Sequence, residues 1–182
     1  MYYKKVIHTN ENGEVINEKT FQYKGTFDEE EGYLFWNRKN AVKSFAGVDY
    51  PESMNDMEVG RLARLSKKIW AKTNMLGYRG NGGVKAYDDE GISKVLGVQI
   101  RQGKAFIKKM MDLGILAKVV IETEGSIKKE YQYYLNPIYF FSSNRIPLNL
   151  YLIFKDQLDA VIDEWVKESY NIKMDEQIEG KA

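Results

Sequence analysis

Short apolar runs broken by polar residues open the chain. Tyr3-Lys4-Lys5-Val6-Ile7-His8 and Glu14-Val15-Ile16-Asn17 read as two strands around Asn10-Glu11-Asn12-Gly13, and Asn-Gly between such runs is a strong hairpin signal. Phe21-Gln22-Tyr23 and Tyr33-Leu34-Phe35-Trp36 are further strand candidates on either side of an acidic turn at Asp28–Gly32. A short helix is expected around Asn40–Phe45, ending near Tyr50-Pro51, because proline disfavours helix at the residue before it. The period then changes. Leu62, Leu65 and Ile69 recur in steps of three and four, flanked by Met57 and Trp70, with Arg61, Arg64, Lys67, Lys68 and Lys72 on other faces. This predicts a long amphipathic helix capped by Asn55 and ending before Gly77.

From Val84 onward the signals follow one another closely. Val84–Tyr87 reads as a short strand. Asp88 or Asp89 caps a helix over Glu90–Leu96, and Gly97 supplies the positive φ that a tight turn between helices needs. A second helix starts at Gln99 or a neighbour and continues to Leu113, where Gly114 stops it. Ile115–Glu122 and Lys128–Leu135 are strands joined by a turn at Thr123–Ser126. Pro137 closes the second, since proline cannot donate to a ladder. After a loop at Ser142–Arg145, one helix is expected from about Asn149 to Glu168, with Tyr151, Phe154, Leu158, Val161 and Trp165 as its seam. The tail beyond Asn171 is polar and is expected to fray.

Strand, helix, glycine turn, helix, glycine stop and two joined strands form the order of a winged helix-turn-helix. The expected class is therefore α+β: a winged helix-turn-helix core over residues 51–141, an N-terminal β-hairpin region over 1–50, and a C-terminal helix with its tail over 142–182. That helix is expected either to pack on its own domain or to form a homodimer.

Composition narrows the chemistry. Of 182 residues, 43% are hydrophobic and 13% aromatic, as in a folded globular chain. There is no cysteine, which excludes disulfides and thiolate metal sites and agrees with a cytoplasmic setting. No apolar run approaches the roughly 20 residues of a membrane span, and the first residues do not read as a signal peptide. The net charge of +1 conceals an asymmetry. Residues 1–60 hold 7 Lys and Arg against 11 Asp and Glu, residues 61–145 hold 16 against 7, and residues 146–182 hold 4 against 8. A basic middle between acidic flanks suits a module that binds a polyanion.

Candidate contacts follow from the helix that starts at Gln99. Gly103, Phe106, Ile107, Met110 and Leu113 share one face, and Arg101, Gln102, Lys104, Ala105 and Lys108 share the other. Arg can bond a guanine edge bidentately, and Gln can do the same to adenine. Lys104, Lys108 and Lys109 are expected at phosphates, where they add affinity without reading sequence. Lys128 and Lys129 beside the strand-joining turn are second-rank contacts, opposed by Glu122 and Glu124; Gln99 at the helix start and Lys94 on the shorter helix are further candidate contacts. The same residues would also serve simply to solubilise a surface helix. The agreement of every local signal around them favours double-stranded DNA as the partner.

Other chemistry finds little support. His8 is the only histidine, and no Ser stands in a Gly-x-Ser-x-Gly elbow. Gly80-Asn81-Gly82-Gly83 lacks the Lys-Ser/Thr of a phosphate-binding loop. The acidic turn at Asp28–Gly32 lacks the ligand spacing of a calcium loop. No enzymatic activity, cofactor or metal is expected.

Gly13-Glu14-Val15-Ile16, the segments GISKVLGV and FIKKMMDLGIL, and Tyr133-Tyr134-Leu135-Asn136-Pro137 together resemble the replication protein L family of Firmicute plasmids and related helix-turn-helix proteins of Bacillus phages. In that group the last wing strand also runs into Asn-Pro and then an apolar segment, similar here to Ile146-Pro147-Leu148 and Leu152-Ile153-Phe154. The acidic insert at Asp28–Gly32 departs from the plasmid proteins. The resemblance implies an origin-binding replication initiator that recruits host replication proteins. The alternative is a phage or plasmid transcription regulator that occupies an operator through the same helix. A weaker third reading gives the basic face an acidic protein partner.

Overall fold

The computed structural model describes residues 2–23, 27–28, 32–33, 42–45, 47–70, 73–122 and 130–179. The chain divides into two compact units, Met1–Lys39 and Asn40–Ala182. Both α-helices and antiparallel sheets are present, so the class is α+β.

In the first unit, β1 (Tyr2–Thr9) pairs antiparallel with β2 (Val15–Tyr23). The turn forms as its residues require. Asn10 Oδ1 accepts from the amides of Asn12 and Glu14 at 3.0 and 2.9 Å, and Gly13 takes φ 82°. Phe21–Tyr23 is not a separate strand, as expected from the sequence, but the end of β2. Nothing in Asn17–Thr20 breaks a strand, and β1 pairs residue for residue as far as Tyr2↔Tyr23. Two-residue strands β3 (Phe27–Asp28) and β4 (Gly32–Tyr33) pair across the acidic turn. Leu34–Trp36 lie outside the described residues.

The second unit begins with β5 (Lys43–Ser44), where a helix around Asn40–Phe45 was expected. Pairing with Phe140–Phe141 holds Lys43 and Ser44 extended; Asn40 and Ala41 lie outside the described residues. Helix α1 (Asp56–Ser66) starts as its cap dictates. Asn55 Oδ1 accepts from the Glu58 amide and Glu58 Oε2 accepts from the Asn55 amide, both at 3.0 Å, a reciprocal capping box. The helix is shorter than its apolar period implies. Ile69 and Trp70 form β6 (Ile69–Trp70) against β7 (Met75–Gly80), in register Ile69↔Leu76. Those residues kept a helical spacing, but the neighbouring strand claims their backbone. Strand β7 was not anticipated, because its glycines read as breakers. β8 (Gly83–Ala86) folds back on it, and Asn81-Gly82 forms the turn.

Then come α2 (Asp89–Leu96), α3 (Ile100–Asp112), β9 (Leu116–Ile121) and β10 (Glu130–Leu135). The sheet order is β6-β7-β10-β9, with β8 on β7. Leu62 and Leu65 of α1, Ile92 and Leu96 of α2, Phe106, Ile107 and Met110 of α3, and Leu116, Tyr133 and Leu135 of the sheet form one core.

After β11 (Phe140–Phe141), the single helix expected over Asn149–Glu168 is instead three: α4 (Leu148–Ile153), α5 (Lys155–Asp159) and α6 (Glu164–Glu179). The chain leaves helical geometry at Phe154, with φ −122° and ψ 31°. The expected seam divides accordingly. Tyr151, Phe154 and Leu158 are buried in a second cluster with Leu150 and Phe141, whereas Val161 and Trp165 stay exposed. No proline or glycine marks the breaks; burial of these three side chains accompanies them. The segment beyond Asn171 does not fray at once but remains helical to Glu179.

Two buried asparagines tie the elements together. Asn74 takes φ 57°, and its Nδ2 donates to the carbonyls of Leu135 (3.0 Å) and Phe140 (2.7 Å). Asn136 Nδ2 donates to the Gly114 carbonyl at 2.8 Å, and its Oδ1 accepts from Ile138 N at 3.0 Å. The Asn-Pro that ends β10 thus fastens that strand to the end of α3. A buried amide left unbonded would cost roughly 1–3 kcal/mol, so these bonds stabilise the junctions they occupy.

Candidate nucleic-acid interface

The junction of α2 and α3 sets the orientation of α3. Asp88 caps α2, its Oδ1 accepting from Gly91 N at 2.7 Å. Gly97 ends α2 at φ 70° and ψ 34°, and Val98 N donates to the Ser93 carbonyl at 3.1 Å. The helices then approach so closely that a Cβ on Gly103 would lie 1.9 Å from Ser93 Oγ and 2.8 Å from Ser93 Cβ. Ser93 Oγ is itself bonded to the Asp89 carbonyl at 2.6 Å. Only glycine allows this contact. A lone glycine inside a helical pattern is itself a signal of close packing, but nothing local in the sequence names Ser93 as the residue it meets.

Once seated, α3 has two chemically separate sides. Gly103, Phe106, Ile107 and Met110 are buried, while Arg101, Gln102, Lys104, Ala105 and Lys108 are exposed. Arg101, Gln102 and Lys108 make no hydrogen bond or ion pair with other described residues. Lys104 reaches toward Asp89 only to 3.8 Å. Gln99 sits at the N-cap, exposed and without a side-chain capping bond. Exposed Asp112 bounds the basic stretch at its C-terminal end.

The remaining cations expected at this surface are disposed differently. Lys109 turns toward α1. Its Nζ donates to both Glu58 carboxylate oxygens at 2.8 and 2.7 Å and to the Ser53 carbonyl at 2.8 Å. This bond, with the Asn55 amide second, holds the Glu58 carboxyl below its usual range. Lys94 pairs with Glu90 at 2.8 Å on the exposed side of α2, and that bond raises its ammonium pKa. Lys128 and Lys129 lie outside the described residues, as does the turn beside them.

From the sequence, Asp89 offers only a helix cap. It receives the Tyr133 hydroxyl of β10 while facing Lys104 of α3, so one carboxylate joins α2, α3 and the sheet. Burial, and then this bond, push the Tyr133 hydroxyl well above the ordinary phenol range. On β9, the Lys118 ammonium lies 4.0 Å from the Tyr131 ring centre, within cation–π range.

Among the described residues, no group of three His, Asp or Glu side chains is placed to hold a metal ion, and no helix is long and apolar enough to cross a membrane. No family model, curated protein or solved structure matches this chain.

Proposed function

We propose that the protein binds double-stranded DNA in a sequence-specific manner through a winged helix-turn-helix. In this reading α2 and α3 are the helix pair, α3 enters the major groove, and β9 and β10 are the wing strands. One observation carries the reading: Arg101, Gln102 and Lys108 are exposed and unpaired on a helix whose opposite face is anchored by Phe106, Ile107 and Met110. Side chains already bonded to their own fold would have to break those bonds to reach a base edge. These three do not. Arg101 and Gln102 are assigned to base edges, and Lys104 and Lys108 to phosphates. Lys109 serves the α1–α3 contact instead.

The biological role we infer is that of a phage or plasmid replication initiator. This rests on the Gly-Glu-Val-Ile start and the Leu-Asn-Pro ending of β10. A regulator would use the same helix on an operator, and a footprint separates the two: an AT-rich repeat array or a site within the protein's own gene supports initiation, and a site over a promoter supports regulation.

The direct test is binding-site selection from random duplexes. Replacing Arg101 and Gln102 together with Ala should remove roughly 1–3 kcal/mol of discrimination at the bases they read. Lys104→Ala with Lys108→Ala should weaken all duplexes about equally and reduce the salt slope by roughly 0.9 per lost phosphate contact. Unchanged specificity in the first variant would remove α3 from the role of reader. Binding to an acidic protein with no salt-dependent binding to duplexes would overturn the DNA reading itself.

A further inference from the structure

On α2, Asp89 faces Lys104 and Tyr133, but other residues of this helix line a separate cleft. It lies between the end of α1, the β7–β8 hairpin and α2, and its volume is about 810 Å³. Small-molecule sites fall in the range of roughly 300–1,000 Å³. The walls present Arg64, Lys67, Lys68 and Lys94 together with Tyr78 and Tyr87.

Most of the other charge in the cleft is already engaged. Asp88 is occupied as the cap of α2, and Glu90 is paired with Lys94. Arg64 Nη1 donates to the Leu96 carbonyl at 3.0 Å. Lys67 and Lys68 remain, both exposed and without a partner among the described residues. The Tyr78 and Tyr87 rings stand 4.9 Å apart at 43°, and Tyr78 keeps 42% of its surface exposed. Two unpaired ammonium groups in the same cleft as an accessible aromatic ring match a ligand with a negative charge next to a flat ring. Bases stack on such rings whatever their identity, and cations beside the ring hold the phosphates.

We propose that this cleft binds a nucleotide unit, its base against Tyr78 and its phosphate at Lys67 and Lys68. The unit can come from a free nucleotide or from an unpaired strand of nucleic acid. Paired bases in a duplex cannot offer their faces in this way, so the site is distinct from duplex reading by α3 and does not depend on it.

The test is calorimetric titration of the full-length protein with ATP, with a twelve-residue oligothymidylate and with pyrophosphate. Lys67→Ala/Lys68→Ala and Tyr78→Leu change exposed side chains, and thermal melts confirm folding of each variant. ATP, the oligothymidylate or both should bind saturably, and whichever binds identifies the source. The double lysine variant should weaken that binding about tenfold or more. Loss of the Tyr78 ring should weaken it roughly five- to a hundredfold. The Arg101→Ala/Gln102→Ala variant should leave it unchanged. The proposal is overturned if neither ATP nor the oligothymidylate binds, if binding survives both cleft changes, or if it moves with Arg101 and Gln102. Pyrophosphate binding as tightly as ATP with Tyr78→Leu silent would likewise reduce the cleft to a bare anion site and overturn it.

Discussion

In α3, Gly103, Phe106, Ile107 and Met110 are buried while Arg101, Gln102, Lys104 and Lys108 are exposed. In α6, no described side chain is fully buried. Val166, Tyr170 and Met174 are half-covered at four-residue steps, and Trp165 and Ile172 remain 67% and 60% exposed. Both are surface helices of the same unit, but their attachment differs. α3 fills the core between α1, α2 and the sheet. α6 is held near its middle by Tyr170, whose ring stacks on Tyr151 at 3.9 Å and whose hydroxyl donates to the Ile146 carbonyl at 2.8 Å. A helix seated by many apolar contacts presents its polar side chains in a fixed array. A helix held chiefly by one aromatic contact has no such constraint on its outer face.

The anchoring of α3 is tested most strongly in the core. Met110→Ala removes a side chain with no exposure, and should cost roughly 2–5 kcal/mol by the cavity it leaves. Urea denaturation followed by circular dichroism measures it; a cost below about 1 kcal/mol would mean that α3 is not anchored as described. The helix junction comes next. Gly103→Ala drives a Cβ into Ser93 and should cost roughly 1–3 kcal/mol. Adding Ser93→Gly should recover part of that loss, and a purely additive double variant would show that the two residues do not meet.

A smaller effect is expected where α1 meets α3. Asn55→Ala should cost about 1 kcal/mol as a lost helix cap. Its partner Glu58 supplies a pH signature. The Lys109 bond lowers the Glu58 pKa in the folded protein. Its stabilising contribution is therefore complete above the unfolded value of roughly 4.3 and is lost as pH falls through the lower folded value. The stability difference between the wild type and Glu58→Gln should shrink as the pH is lowered through that window, and a constant difference would deny the pairing. Least of all should change at α6: Ile172→Ala should stay within about 0.5 kcal/mol. A loss comparable to that of Met110→Ala would show that the exposed side of α6 is covered in solution.

Features governed by neighbouring residues were legible in advance. The Asn-Gly hairpin, the cap at Asn55, a cap at Asp88 or Asp89 that the structure assigns to Asp88, and the positive-φ stops at Gly97 and Gly114 depend on chemistry within a few residues. The division of α3 into an oily and a cationic side was equally legible, because helical period alone sorts those positions. Where two segments compete for one backbone, local pattern points to the wrong element. Ile69 and Trp70 kept a helical spacing but were taken by β7, and Lys43–Ser44 by Phe140–Phe141.

Local chemistry thus settled where the chain turns at Asn-Gly, Gly97 and Gly114, that Asn55 starts α1, and which side of α3 is cationic. Long-range packing settled the rest. It set Lys109 against Glu58 rather than outward, buried Asn74 and Asn136 as clamps and made glycine obligatory at 103. The reason is physical: caps and turns satisfy their hydrogen bonds within one or two turns of chain, whereas these contacts join residues that meet only once the core has formed.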